Sequence, residues 1–235
     1  MTRHRLNTRL FRSAFKYSIP VLLGYLTIGI AFGLLVTGSG YPWWLTLLMS
    51  LVMYAGAGQY IALGLFAAGT TLWEAAIVQL IVNARHMAYG LSMASRFNAA
   101  GPLKYYLIFS LTDETFALLS SLPAEKTAED KSLFMFYVSV LDQFYWVSGS
   151  VIGALAGMLI PFNMEGIGFA LTALFIVLLI EQIMRVKKPG IFVVTALIAV
   201  FSVILIPGRI SLLSAMALSL VIASLMEKFA LWSRE

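Results

Sequence analysis

A stripe of polar side chains within an apolar segment is the first candidate for chemistry in this sequence. Residues 81–90 read IVNARHMAYG, and apart from His4 they hold the only histidine of the chain. At about 100° per residue on a helix, four residues share an arc of about 60°: Gln79, Asn83, His86 and Gly90. Such a stripe predicts either the lining of a translocation path or hydrogen bonds between packed helices. His86 could carry protons along such a path, because imidazole titrates near neutral pH.

Two adjacent carboxylates form the second candidate. Asp113 and Glu114 lie in SLTDETF (110–116), near the middle of the next apolar segment. Neighbouring residues on a helix point about 100° apart, so the two carboxylates need different partners. Arg85 is the one basic residue expected at the same depth, and we predict that it pairs with one of them. The other carboxyl group could gain and lose a proton, because removal from water favours its neutral form. A static ion pair is the alternative.

Two further polar sites interrupt apolar segments. Asp142 and Gln143 are adjacent, and this pair is consistent with either a path lining or bonding between helices. The sequence GAGQY (56–60) predicts a helix break at which Gly56, Gly58 and Gln59 line the path. Broken helices expose backbone groups that bind substrates in many transporters.

Composition identifies the elements that must position these residues as membrane helices. The chain has 235 residues, of which 60% are hydrophobic and 11% are charged, whereas a soluble domain has about a quarter of its residues charged. Five of the sixteen Lys and Arg residues fall within residues 1–16, which suits anionic lipid and not nucleic acid. We therefore predict an all-α polytopic membrane protein with one domain over 1–235: a basic cytoplasmic N-terminus (1–16), then a helical bundle (17–227). The first apolar segment is expected to be retained and not cleaved as a signal peptide.

Hydropathy and proline positions predict about eight helical segments. They are 17 to 28 residues long, whereas roughly 20 residues span a bilayer. They lie at about 17–36, 43–66, 71–93, 103–122, 133–160, 167–184, 190–207 and 211–227. Eight crossings put twelve Lys and Arg residues on the inner side and three on the outer side, so both termini are predicted to be cytoplasmic. Hairpins at 43–66 and 133–160 would give the same tally with six crossings; we prefer eight.

A weak similarity between two stretches of the sequence predicts a 3+3 inverted repeat followed by two C-terminal helices. Small residues interrupt segment 2 at AGAGQYIALG (55–64) and segment 5 at SGSVIGALAG (148–157), which predicts breaks in both segments. The alternative for segment 5 is close helix packing through Gly149, Gly153 and Gly157, which form overlapping G-x-x-x-G patterns.

Signatures of enzymes and cofactor sites are missing from the sequence. It holds no H-E-x-x-H, G-x-S-x-G, P-loop or G-x-G-x-x-G motif. With two histidines and no cysteine, a metal site is not expected. We therefore predict neither catalytic residues nor a cofactor.

Four motifs in register resemble the large permease subunit of the azaleucine-resistance (AzlC-like) family of bacterial branched-chain amino-acid exporters. They are GAGQYIALGL (56–65), NARHMAYGLS (83–92), TDETF (112–116) and GFALTALF (168–175). The resemblance implies an inner-membrane exporter of amino acids such as valine and leucine, with a small hydrophobic AzlD-like partner subunit. Where relatives are expected to carry an aspartate, this chain has Gly168. An acidic role is therefore expected at Asp113, Glu114 or Asp142 instead.

The leading hypothesis is thus a proton-linked secondary exporter of branched-chain amino acids. Its substrate would lie between the break at 55–60 and the polar stripe, with the substrate's carboxylate at exposed amides and its ammonium at Asp113 or Glu114. A channel-like facilitator for small neutral solutes is the main alternative. A membrane-embedded enzyme using His86 and a scaffold that transports nothing are the others.

Overall fold

The computed structural model of the protein describes residues 2–122, 128–159 and 189–206, with short stretches between 176 and 184 and between 211 and 222. These residues form helices and connecting turns, with no strand among them. A π-helical turn (Met49–Met53) follows α2, and a 3-10 turn (Asn98–Ala100) follows α4. The helices are α1 (Thr2–Gly38), α2 (Trp43–Leu48), α3 (Ala57–Ala67), α4 (Leu72–Phe97), α5 (Leu103–Phe109), α6 (Asp113–Ser120), α7 (Ala128–Leu159) and α8 (Pro189–Leu205).

The first helix is longer than the predicted segment 17–36. It begins at Thr2 because the basic N-terminal segment contains no glycine or proline and its apolar side packs on α7. The rings of Phe11 and Tyr137 are 5.6 Å apart, and Ala14 is fully buried. Among the described residues, Thr8–Gly38 is the one helix that is long and apolar enough to cross a membrane by length and composition.

Helices α1 and α7 run parallel and pack closely through glycines. Gly29 approaches Gly149, and Gly33 approaches Gly153, so the contacts advance in the same direction along both helices. A Cβ on Gly153 would overlap the Ile30 carbonyl group. The predicted break in segment 5 is wrong, because α7 is continuous over Ala128–Leu159. Its small residues permit close packing, which was the alternative prediction.

Segment 2 is broken, as predicted, but it also folds back on itself. The ring of Tyr41, just before α2, lies 5.9 Å from the ring of Phe66 near the end of α3. Between these ends the chain reaches Tyr54, which lies beside Tyr25 of α1. It then returns along α1, where the Tyr60 hydroxyl group donates a 2.5 Å hydrogen bond to the Ile28 carbonyl oxygen. We call residues 43–67 hairpin 1. The expectation that this segment crosses in full is therefore wrong.

Segment 4 forms a second hairpin that the sequence analysis did not predict. Helix α5 ends at Phe109 and α6 begins at Asp113. Gly90 of α4 faces Ile108 of α5, whereas the Arg96 guanidinium donates to the Ser120 carbonyl group at 2.9 Å. Helix α6 thus returns along α4 toward the end at which α5 started. We call residues 103–120 hairpin 2.

The tips of the two hairpins meet in the core, where the rings of Tyr54 and Phe109 are 6.3 Å apart. The interruptions therefore fall in segments 2 and 4, and the predicted correspondence between segments 2 and 5 is wrong. Helix α8 matches the predicted segment 190–207 closely. Most of segment 6, and with it the motif at 168–175 and Gly168, lies outside the described residues, as does nearly half of segment 8.

Candidate functional site

The tip of hairpin 1 is built from backbone conformations that few residues adopt. Tyr54 is left-handed (φ 40°, ψ 47°), and Gly56 has φ 47° and ψ −105°, a region open mainly to glycine. The π-helical turn before Tyr54 is a feature often found at functional sites. This geometry turns the chain within three residues and places the Tyr54 side chain, 2% exposed, between the hairpins.

The tip of hairpin 2 is a helix start. The Thr112 hydroxyl oxygen accepts a 3.2 Å hydrogen bond from the Thr115 amide, which caps α6. Asp113 and Glu114 follow in the first turn of α6, where the helix dipole stabilises negative charge. The two carboxylates therefore begin a helix and do not interrupt one.

Asp113 and Glu114 have different partners, as predicted. One guanidinium nitrogen of Arg85 lies 2.7 Å from Asp113 Oδ2, so the expected ion pair is present. Tyr89 donates to Asp113 Oδ1 at 2.8 Å, and its ring stacks on Phe116 at 4.3 Å. Glu114 instead accepts a 2.9 Å hydrogen bond from Tyr25 of α1.

The polar stripe of α4 meets the start of α3 over part of its length. Gln79 Nε2 donates to the Gly58 carbonyl oxygen at 2.9 Å, and Asn83 Nδ2 donates to Gln79 Oε1 at 2.9 Å. A Cβ on Gly58 would lie 3.0 Å from the Asn83 amide group, so glycine allows this approach. The structure thus brings Gly58, Gln79 and Asn83 together.

The remaining predicted path residues lie apart from that group. His86 makes a ring contact with Tyr89 at 5.9 Å, and Gly90 faces α5. Gln59 is fully buried and points toward α7, where its Oε1 accepts a 2.9 Å hydrogen bond from the Trp146 indole. Gln59 therefore holds hairpin 1 against α7 near its tip and is not part of the α4 stripe.

Asp142 is the most deeply buried carboxylate among the described residues, with 0% exposure. Its Oδ2 accepts a 2.8 Å hydrogen bond from Thr115. Its Oδ1 and the Tyr54 hydroxyl are both buried and have no hydrogen-bond partner in the described part of the chain. A buried polar atom without a partner is costly, so this pair of open positions suits a polar ligand.

Gln143 ties the two hairpins to α7. Its Nε2 donates to the Leu51 carbonyl oxygen of hairpin 1 at 3.2 Å, and its Oε1 accepts a 2.8 Å hydrogen bond from Tyr106 of hairpin 2. The sequence leaves path lining and bonding between helices open for Asp142 and Gln143. The contacts of Gln143 correspond to bonding between helices.

Several residues of the tip region were missed by the sequence analysis. Tyr25 and Tyr54 lie in apolar stretches without a polar period, whereas Thr112 and Thr115 flank the carboxylates of SLTDETF but are given no role by the sequence analysis. The one available signal was the order Thr-Asp-Glu at 112–114, which is typical of a capped helix start. Within the described ranges no group of three or more His, Asp or Glu residues could hold a metal ion.

Comparison with known proteins shows that the residues of both hairpins and α7 fall within the match to one protein family. Residues 20–160, which include both hairpins and α7, match the profile of the AzlC protein family. The Bacillus subtilis protein named "Branched-chain amino acid transport protein AzlC" is 37% identical over 220 residues, which are 93% of this chain and 85% of that protein.

Two further relatives are named as membrane proteins. A Helicobacter pylori protein named "Uncharacterized membrane protein" is 42% identical over 81% of this chain and 86% of its own length. The Escherichia coli "Inner membrane protein YgaZ" is 32% identical over 80% of this chain and 78% of its own length. No solved structure matches the chain.

Proposed function

Because this chain belongs to the AzlC family, we propose that it is a membrane transporter that exports branched-chain amino acids. The substrate class rests on the name of the Bacillus subtilis relative, which aligns with 93% of this chain. One structural observation carries the transport proposal: two helical hairpins meet tip to tip beside a fully buried carboxylate. Interrupted helices around a polar site are typical of secondary transporters.

The substrate site in this proposal lies between the hairpin tips. Asp113 is already neutralised by Arg85, so it is a poor partner for an ammonium group. Asp142 Oδ1 and the Tyr54 hydroxyl have unfilled hydrogen-bonding capacity, so we place the substrate ammonium there. The first turn of α3, near Gly56 and Gly58, would face the substrate carboxylate, because a helix N-terminus attracts anions.

The α4 stripe would form one wall of the same path. Gln79 and Asn83 hold the start of α3 through Gly58, so their part is to position hairpin 1. His86 and Gly90 lie further along α4 toward α5 and would line the way from the tips. This keeps the predicted path residues in the proposal but gives them different tasks.

Direction, coupling and partner complete the proposal. Export and a small AzlD-like subunit follow from the family resemblance. Proton linkage follows from the buried carboxylates, and the cytoplasmic termini follow from the distribution of Lys and Arg along the chain. The chain is then a permease of the bacterial inner membrane with no enzymatic reaction of its own.

Efflux from proteoliposomes tests the function. The purified chain, with and without a co-expressed small AzlD-like membrane protein, is assayed with radiolabelled valine, leucine, isoleucine, alanine and lysine. We expect saturable efflux and counterflow of the branched-chain substrates, and we expect Asp142→Asn to lose both. Flux that rises linearly with concentration without counterflow would favour the channel-like facilitator. No flux of any amino acid with the partner present would refute the proposal.

A further inference from the structure

An unbroken chain of hydrogen bonds joins two carboxyl groups through three hydroxyl groups. Tyr25 lies 2.9 Å from Glu114 Oε2 and 2.5 Å from the Thr112 hydroxyl oxygen. The Thr112 hydroxyl lies 3.1 Å from that of Thr115, which lies 2.8 Å from Asp142 Oδ2. This series of hydrogen bonds runs from α6 to α1, then through the tip of hairpin 2 to α7. Each of its four distances is a hydrogen-bond distance.

The number of hydrogens decides what this chain can hold. It has four links, but its three hydroxyl groups supply three hydrogens, one each. All four links are therefore made only when one of the two carboxyl groups carries a proton. With neither protonated, one link lacks a hydrogen, and with both protonated there is one hydrogen too many.

From this count we propose that Glu114 and Asp142 share a single proton through Tyr25, Thr112 and Thr115, which together form a proton relay. When Glu114 holds the proton, Glu114 donates to Tyr25, Tyr25 to Thr112, Thr112 to Thr115 and Thr115 to Asp142. Transfer breaks the Glu114 O–H bond and moves each hydroxyl hydrogen to the next oxygen. The proton arrives on Asp142 Oδ2, each hydroxyl group is regenerated, and net charge is conserved.

The two ends of the relay differ in their access to the surroundings. Glu114 is partly exposed, whereas Asp142 is fully buried. Protons therefore enter and leave at Glu114 and reach Asp142 along the hydroxyl groups. Other titratable groups also face Asp142 from the elements packed against it: Tyr54 of hairpin 1, Tyr106 of α5 and Tyr145 of α7. Asp113, which pairs with Arg85, immediately precedes Glu114 in the sequence.

This relay gives the proposed transporter a coupling device, and in that respect it rests on the proposed function. A proton on Asp142 removes the charge that would attract the substrate ammonium at Oδ1. Proton and substrate then compete for one carboxylate, so a proton delivered through the relay releases the amino acid.

Transport assays test coupling separately from substrate binding. Tyr25→Phe removes the hydroxyl group that makes two of the four links. We expect valine counterflow, which needs no net proton movement, to persist, while pH-gradient-driven valine flux falls about tenfold or more. Thr115→Val should do the same, and Thr115→Ser should restore coupling. The matched control is Tyr145→Phe. The Tyr145 hydroxyl group lies outside the relay and joins α7 to α1 through a 3.0 Å hydrogen bond with Ser18. Normal pH-driven flux in Tyr25→Phe would overturn the proposal.

Infrared difference spectroscopy tests the relay without any substrate. On a pH step, wild-type protein should show one protonated carboxyl band per relay, and both Glu114→Gln and Asp142→Asn should alter that band. In Tyr25→Phe the two carboxyl groups should titrate in separate steps. If wild-type protein already shows two independent carboxyl bands, the shared proton is refuted even where transport is observed. If the band is shared but no amino acid is carried, the proposed function fails and the relay stands.

Discussion

At the scale of single residues, the two neighbouring carboxylates of hairpin 2 have separate tasks. Asp113 is held by Arg85 at 2.7 Å and by Tyr89 at 2.8 Å, so its charge is already compensated. Glu114 is hydrogen-bonded to Tyr25 and belongs to the proposed relay. We infer that Asp113 joins α6 to α4 and that Glu114 exchanges protons.

A double-mutant cycle tests the structural task of Asp113. Arg85→Gln and Asp113→Asn should each destabilise the protein by roughly 1 to 3 kcal/mol. This is less than for a fully buried pair, because the side chains are 32% and 18% exposed. The double variant should lose less than the sum of the two, since neither charge is then left alone. Thermal unfolding in detergent gives the stabilities, and strictly additive losses would contradict the pairing.

The same comparison separates Asp113 from Glu114 in function. We expect the double variant Arg85→Gln/Asp113→Asn to keep pH-driven valine flux within about threefold of wild type, because it leaves the relay intact. Glu114→Gln should lose pH-driven flux while it keeps counterflow. Proteoliposome assays at matched protein content measure both. Equal loss of coupling in the two proteins would show that Asp113 also takes part.

Sequence reasoning predicted the ion pair but not the relay. Arg85, Asp113 and Glu114 are rare charges in an apolar chain, so elimination links the arginine to one of the two carboxylates, and the structure identifies that partner as Asp113. Tyr25 lies 87 residues from Thr112 and 89 from Glu114, and hydroxyl groups in an apolar helix have no pattern that marks a partner. That juxtaposition depends on how hairpin 2 packs against α1.

At the scale of elements, small residues predict the break in segment 2 correctly and the break in segment 5 wrongly. At 54–56 the chain needs positive φ at Gly56, so the break depends on glycine's backbone freedom. In α7 the glycines are helical and lie against the α1 backbone, so they matter for their missing side chains. The break in segment 4 has neither glycine nor proline. Its one signal is the Thr112 cap, within a stretch that hydropathy predicts to be one continuous helix.

Paired alanine substitutions test the close packing of α1 and α7. Gly153→Ala should lower stability by roughly 1 to 3 kcal/mol, because the added Cβ would overlap the Ile30 carbonyl group. Gly24→Ala in α1 is the matched control, since its Cβ would meet nothing within 4 Å. It should be neutral or stabilising by up to about 1 kcal/mol. Melting temperatures in detergent measure both, and equal effects would contradict the packing.

At the scale of the whole molecule, two hairpins change the expected topology. Each hairpin returns to the side from which it entered, so we predict that α1, α4 and α7 are the crossing helices of residues 2–159. The turn between α3 and α4 then lies opposite the N-terminus, and the turn between α4 and α5 lies on the same side as the N-terminus. Moving Arg96 and Lys104 to the inner side changes the predicted Lys and Arg tally from twelve against three to fourteen against one. The positive-inside rule therefore favours the hairpins over eight crossings.

Single-cysteine labelling distinguishes the two topologies directly, because the chain has no native cysteine. Ala68→Cys and Ala99→Cys place matched exposed thiols in the two turns, and Thr8→Cys marks the N-terminal side. With a membrane-impermeant maleimide on right-side-out and inside-out vesicles, we expect positions 8 and 99 to label from one side and position 68 from the other. Eight crossings require the opposite grouping, with 8 and 68 together and 99 alone. The comparison is internal to one protein, so it holds whichever way the N-terminus faces. If position 99 labels from the side opposite position 8, residues 43–67 must cross the membrane in full, and the meeting of the hairpin tips that carries the proposed function is lost.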